Sequence, residues 1–214
     1  MGYKITIKQG NLLEEENATF IVNASNTKLL LGSGVSFAFK RHCGRELQDV
    51  MNNAYKLIKH LEKGDVVFTG SAKAKNFEYT IHGAIMDYNK GVRGNEKLPS
   101  IMTIKNILYN IESSLQKYIK STKEQNIKLV IPLLGCGMGG LDKNNVIRTY
   151  FDFFSRTLDF DMTCEVVIYG YSSEDFKLLA RYKYLQSKVI TQEQLIYEYK
   201  NLLHEDKNEC LIDI

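Results

Sequence analysis

Tryptophan is absent from the 214 residues, proline occurs only twice, and neither sign of charge prevails, since 28 lysines and arginines against 25 aspartates and glutamates leave a formal net charge of +3. So little proline excludes a Pro-rich linker. Basic and acidic residues are interspersed rather than blocked, which argues against an electrostatic binder of nucleic acid, so no specific nucleic-acid partner is expected. The four cysteines, Cys43, Cys136, Cys164 and Cys210, form no C-x-x-C pair. That spacing excludes a zinc knuckle and a small disulfide framework; reduced thiols and no metal are expected. No stretch reaches the roughly 18 to 20 apolar residues of a membrane span, and the opening MGYKITIKQG lacks the core of a signal peptide. The expected setting is the cytoplasm, with no membrane partner.

What is present is an alternation of strand and helix patterns. YKITIK (3–8), TFIVNA (19–24), GDVVFTG (64–70), EYTIHGAI (78–85), IKLVIPLL (127–134) and CEVVIYGY (164–171) read as strands. Residues 34–58 read as helix with an interruption at Gly44, Pro99 opens a long helix carrying Ile104, Leu108, Ile111, Leu115 and Ile119 at helical spacing, and a further helix runs from Asp142 to Leu158. The order predicts an α/β fold, a three-layer α/β/α sandwich with a mixed central sheet. From Thr191 a capping-box pattern with Gln194 and an apolar face of Leu195, Ile196, Tyr199, Leu202 and Leu203 marks an added helix. The expected organisation is one domain over 1–180 and a C-terminal helical extension over 181–214.

Two glycine clusters interrupt this pattern at strand-to-helix junctions. Gly32-Ser33-Gly34 follows the strand ending IVNASN, and GCGMGG, Gly135 to Gly140, follows KLVIPLL. Glycines there forgo packing and raise the entropy lost on folding, so the backbone itself is needed against something. Two such loops can aim backbone N–H groups and helix N-termini at one point, which suits a diphosphate. Neither contains a lysine, so no Walker-type loop for a triphosphate with magnesium is present. GCGMGG also fits G-x-G-x-x-G, the fingerprint of an NAD-dependent Rossmann oxidoreductase. However, the next strand ends near Tyr171, so the first acidic residues beyond it, Glu174 and Asp175, fall almost forty residues after Gly135, where about twenty are expected. A nucleic-acid or protein interaction module is the other rival reading.

The segments QGNLLEEENATFIVNASNTKLLLGSGV, KGDVVFTGSAKAKNFEYTIHGAIMDYN and IPLLGCGMGGLD, in that order, resemble the macrodomain family of the Appr-1-p processing type. The resemblance covers residues 3 to about 180. It implies that ADP-ribose, free or attached to protein or other molecules, is the partner, with no cofactor. It also implies either a reader or a weak hydrolase of ADP-ribosyl or O-acetyl-ADP-ribose esters.

Carried onto this chain, the resemblance assigns Gly32, Ser33, Gly34 and Val35 to the first phosphate loop, and Gly135, Cys136, Gly137, Met138, Gly139 and Gly140 to the second. Asn26 is assigned to the distal ribose, and Asn11 and Leu12 to the adenine end, with Tyr169 over the ring. Asn23 is a further ligand-binding candidate that equally suits a turn-forming role; for Asn26 ribose contact is preferred to a turn, and the alternatives for Tyr169 and Cys136 are a core position and simple close packing. Asn11 stands where the family usually has an aspartate, and Ser36 where its hydrolytic branch has one. Candidate catalytic residues are therefore few: Ser36, Asp87 and Lys90, the last because another branch uses a lysine in that region. His82, inside a strand, is given no role.

Overall fold

Residues 2–124, 126–156 and 163–187 are described by the structure, a computed structural model. The helix expected from Thr191, and Cys210, lie outside them. Six strands form one sheet: β1 (Tyr3–Gln9), β2 (Ala18–Asn26), β3 (Val66–Gly70), β4 (Phe77–Met86), β5 (Asn126–Pro132) and β6 (Thr163–Gly170). Their order is β1-β6-β5-β2-β4-β3, and all neighbours are parallel except the β3–β4 pair. The helices are α1 (Val35–Cys43), α2 (Glu46–Ile58), α3 (Ile101–Thr122), α4 (Lys143–Phe154) and α5 (Ser173–Ser187).

The apolar runs of the central strands are explained by burial on both faces. Phe20, Val22, Leu129, Ile131, Val166 and Ile168 point to one side, where Ile104, Ile107 and Leu108 of α3, Val146, Tyr150 and Phe151 of α4, and Leu179 of α5 cover them. Ile21, Val130, Val167 and Tyr169 point to the other side, under Phe39 of α1 and Leu47 and Met51 of α2. The fold is thus the expected three-layer α/β/α sandwich with a mixed sheet.

The element boundaries follow local chemistry. Gly44, at φ +79°, separates α1 from α2, as its position in the sequence suggested. Ser100 rather than Pro99 caps α3: its hydroxyl accepts from the Thr103 N–H, and Thr103 returns the bond to the Ser100 N–H. Strand β5 ends at Pro132, two residues before the expected limit, because proline has no N–H for the ladder. Helix α4 stops at Phe154 rather than Leu158, with the Ser155 N–H turned onto Phe151 and Phe153 carbonyls. Helix α5 was not expected, and it runs through residue 180.

Candidate functional site

Strands β2 and β5 lie side by side and parallel, with Phe20 opposite Leu129 and Ile21 opposite Val130. From their carboxyl ends the chain leaves in opposite directions, into α1 on one face and α4 on the other. This is a topological switch point, where an open α/β sheet forms a crevice beyond its strand ends. Both glycine loops flank it. The order β1-β6-β5-β2-β4-β3 differs from the order 3-2-1-4-5-6 of the dinucleotide fold, so the G-x-G-x-x-G match marks a different loop here.

In the first loop, Gly32, Ser33 and Gly34 are exposed, and their N–H groups have no partner among the described residues. Gly34 adopts φ +60°, ψ −131°, which is essentially closed to other residues, and α1 begins there without a side-chain cap. The loop is held from behind. Asn26 accepts the Lys28 and Leu30 N–H groups at 3.0 and 3.2 Å and donates to the Leu30 carbonyl at 2.8 Å. Gln48 of α2 accepts the Leu31 N–H at 2.7 Å and donates to the Leu29 carbonyl at 2.9 Å. Nothing in the sequence pointed to Gln48, since the contact is purely tertiary.

The second loop is braced by Tyr150, whose hydroxyl donates to the Pro132 carbonyl at 2.8 Å and accepts the Leu134 N–H at 3.1 Å. Its glycines have separate reasons. A Cβ on Gly139 would meet the Gly135 carbonyl at 2.6 Å and Pro99 at 2.7 Å, and one on Gly135 would meet Leu141 at 2.7 Å. Gly137 is neither crowded nor at positive φ, and the same holds for Gly32 in the first loop. The fold does not demand glycine at those two positions. The N–H groups of Gly137, Met138 and Gly139 lack partners among the described residues, and Met138 is exposed. Cys136 is half-buried, its thiol pushed up to about 12 by burial, so it is no thiolate nucleophile. Asp142 caps α4 through the Asn145 N–H at 3.0 Å.

Ser36 and Asn23 prove to be parts of a buried chain. The Ser36 hydroxyl donates toward Asn23 Oδ1 at 2.9 Å and the Ala24 carbonyl at 2.8 Å. Asn23 Nδ2 donates to His82 Nδ1 at 3.1 Å, and His82 Nε2 then donates to Thr69 Oγ1 at 2.8 Å. That tautomer follows because an amide nitrogen can only donate. His82 is fully buried, and burial takes its pKa down to about 3, so it stands neutral. Asp87 accepts from the Thr27 hydroxyl at 3.1 Å and the Asn89 N–H at 2.9 Å, bracing the segment after β4, on which Lys90 is exposed.

At the other end of the crevice the Gly10 N–H donates to the Gly170 carbonyl at 3.0 Å, setting Asn11 beside the end of β6. Asn11 and the buried Leu12 begin the 3-10 turn Leu12–Glu14. Tyr169 is 8% exposed, and its hydroxyl donates at 2.8 Å to Glu15. Glu15 is itself buried, yet Lys8 and Lys128 lie 2.7 and 3.1 Å away. Burial alone raises the Glu15 pKa, but the bonds from Lys8, Tyr169 and Lys128 outweigh it and leave the carboxylate below its usual range. Tyr171, two residues beyond Tyr169, is 84% exposed at the same strand end, and the sequence reading passed it over. Among the described residues no group of three or more His, Cys, Asp or Glu could hold a metal, and no helix is long and apolar enough to cross a membrane.

A mixed α/β/α sheet with a glycine loop after each of two adjacent parallel strands at its switch point defines a class of three-layer α/β folds. Within that class the chain belongs to the Macro domain family, whose sequence model matches residues 22–150. An uncharacterized protein of Saccharolobus solfataricus is 34% identical over 114 residues, which cover 53% of this chain and 62% of that relative. The Oceanobacillus iheyensis macrodomain with ADP superposes with a TM-score of 0.66 at 21% identity, covering 86% of this chain and 93% of that one. The Trypanosoma brucei macrodomain in complex with ADP-ribose gives a TM-score of 0.60 at 15% identity, covering 83% and 68%.

Proposed function

We propose that this chain binds ADP-ribose, free or as a group carried by another molecule, in the crevice between its two glycine loops. The observation that carries the reading is the pair of loops leaving adjacent parallel strands, with N–H groups at Gly32–Gly34 and Gly137–Gly139 that have no partner among the described residues. A pyrophosphate supplies acceptors for those donors and sits at the positive end of α1. Gly32 and Gly137 are glycine because side chains there would stand in the ligand's path. Val35, Gly135, Cys136, Met138 and Gly140 complete the loop walls. The purine lies toward Asn11, Leu12, Tyr169 and Tyr171, and the distal ribose toward Asn26, whose second amide hydrogen is not spent on its own loop. The structural likenesses named above, to macrodomains holding ADP and ADP-ribose, support this reading at the level of fold.

The unit responsible is the domain over residues 1–180, with α5 leading into the extension over 181–214. Hydrolysis of an ADP-ribosyl ester is weak or nil. The Ser36 hydroxyl is buried and committed to Asn23 and Ala24, and Asp87 is committed to Thr27 and Asn89. Lys90 is the remaining candidate. Calorimetric titration with ADP-ribose tests the binding: one site per chain is expected, lost in Gly137→Glu while the fold persists. Undiminished affinity in that variant contradicts the reading. Single-turnover release of ADP-ribose by wild type and Lys90→Ala tests the hydrolytic half.

A further inference from the structure

Asn11 sits where the crevice approaches β6, and its amide is oriented by two partners that each work one way. The Leu13 N–H, which can only donate, reaches Oδ1 at 3.2 Å, and the Glu14 carboxylate, which only accepts, takes Nδ2 at 3.2 Å. Oxygen and nitrogen are thereby distinguished without ambiguity. Beyond these bonds the amide keeps one lone pair on Oδ1 and one hydrogen on Nδ2. A half-exposed donor and acceptor therefore stand together at the base end of the crevice.

A 6-aminopurine presents an N6–H donor beside the N1 acceptor, whereas a 6-oxopurine presents an O6 acceptor beside an N1–H donor. A carboxylate at position 11 would offer acceptors alone and repel O6, rejecting the oxo form. The amide itself carries no such repulsive element, and one oxygen of the neighbouring Glu14 carboxylate is engaged by Nδ2. We infer that Asn11 makes the base end permissive, so that this chain binds hypoxanthine-containing nucleoside diphosphate-ribose nearly as well as ADP-ribose. The inference rests on the reading that the crevice holds a purine nucleoside diphosphate-ribose, and it names the range of ligands admitted there. Tyr171, 84% exposed at the same strand end, offers a face on which either base stacks without regard to its 6-substituent.

The test is calorimetric titration of wild type and Asn11→Asp with ADP-ribose and with inosine diphosphate ribose. Aspartate still accepts the Leu13 N–H, but it loses the bond to Glu14 and sets two carboxylates side by side, so the exposed Glu14 side chain must turn away; the melting temperature checks that the 3-10 turn persists. The wild-type affinities are expected within about fivefold of one another. In Asn11→Asp the ratio should move at least about tenfold in favour of ADP-ribose, the cost of facing an unpaired acceptor with another. Wild type that binds ADP-ribose and prefers it by about fiftyfold or more overturns the inference while leaving the binding reading intact, as does an unchanged ratio in the variant. Wild type that binds neither ligand overturns both.

Discussion

Acid should destabilise this protein through one buried imidazole well before its carboxylates titrate. His82 is fully buried between Asn23 and Thr69, with its pKa lowered from 6.5 to about 3 by desolvation. Because the folded state resists the proton and the unfolded state accepts it, the stability this group contributes is present above pH 6.5 and is lost as pH falls toward 3. With those two values, linkage gives a loss of about 2 kcal/mol between pH 7 and pH 5, about 0.7 kcal/mol of it above pH 6 and about 1.2 kcal/mol below. Urea unfolding of wild type and His82→Gln at pH 7, 6 and 5 reads the effect directly. The variant is less stable at pH 7, since it cannot reproduce both ring bonds, but its stability should vary little over that interval. Equal slopes in the two proteins, or a flat wild-type profile, would refute the assignment of a neutral buried histidine.

Gly137→Ala should leave the melting temperature within about 2 °C of wild type, since its Cβ enters open space, yet weaken ADP-ribose binding; Gly139→Ala should cost about 1 to 3 kcal/mol in urea unfolding, because its Cβ meets backbone at 2.6 Å. Ser36→Asp should lose roughly 2 to 4 kcal/mol at pH 7, because it faces a buried carboxylate toward two acceptors, Asn23 Oδ1 and the Ala24 carbonyl; Ser36→Asn should lose less. Chelator should leave ADP-ribose affinity unchanged in titration, since N–H groups supply the positive potential. Truncation before Thr191 should keep affinity near the wild-type value, because every proposed contact precedes it; a folded truncation that no longer binds would assign the extension to the crevice.

Much of the architecture was legible because burial on two faces writes itself as short apolar runs. TFIVNA and IKLVIP announce central strands, and Gly44 announces the break between α1 and α2. Helix α5 is weakly signalled because its apolar pattern is sparse, with Leu179 the one fully buried apolar side chain among those of its residues whose burial is described. A local signal was nevertheless present: the Ser172 hydroxyl accepts the Asp175 N–H, and Asp175 accepts the Ser172 N–H, a reciprocal S-x-x-D cap. The glycine loops were visible as composition, but the separation of Gly137, which meets nothing, from Gly139, which meets backbone, needed coordinates. Likewise the choice between turn and ligand roles for Asn23 depended on His82, which lies 59 residues away. The Glu15 network with Lys8, Lys128 and Tyr169 joins residues up to 154 positions apart, and no short motif encodes it.

The central claim, that a pyrophosphate lies between the two loops, is tested most directly by backbone amide NMR during titration with ADP-ribose. The account predicts the largest shifts at the N–H groups of Gly32–Val35 and Gly137–Gly139, saturating together with one affinity. Shifts confined to another surface, such as the groove formed by His42, Lys73 and Asn76 at the far end of α1, with the loop amides unmoved, would contradict it.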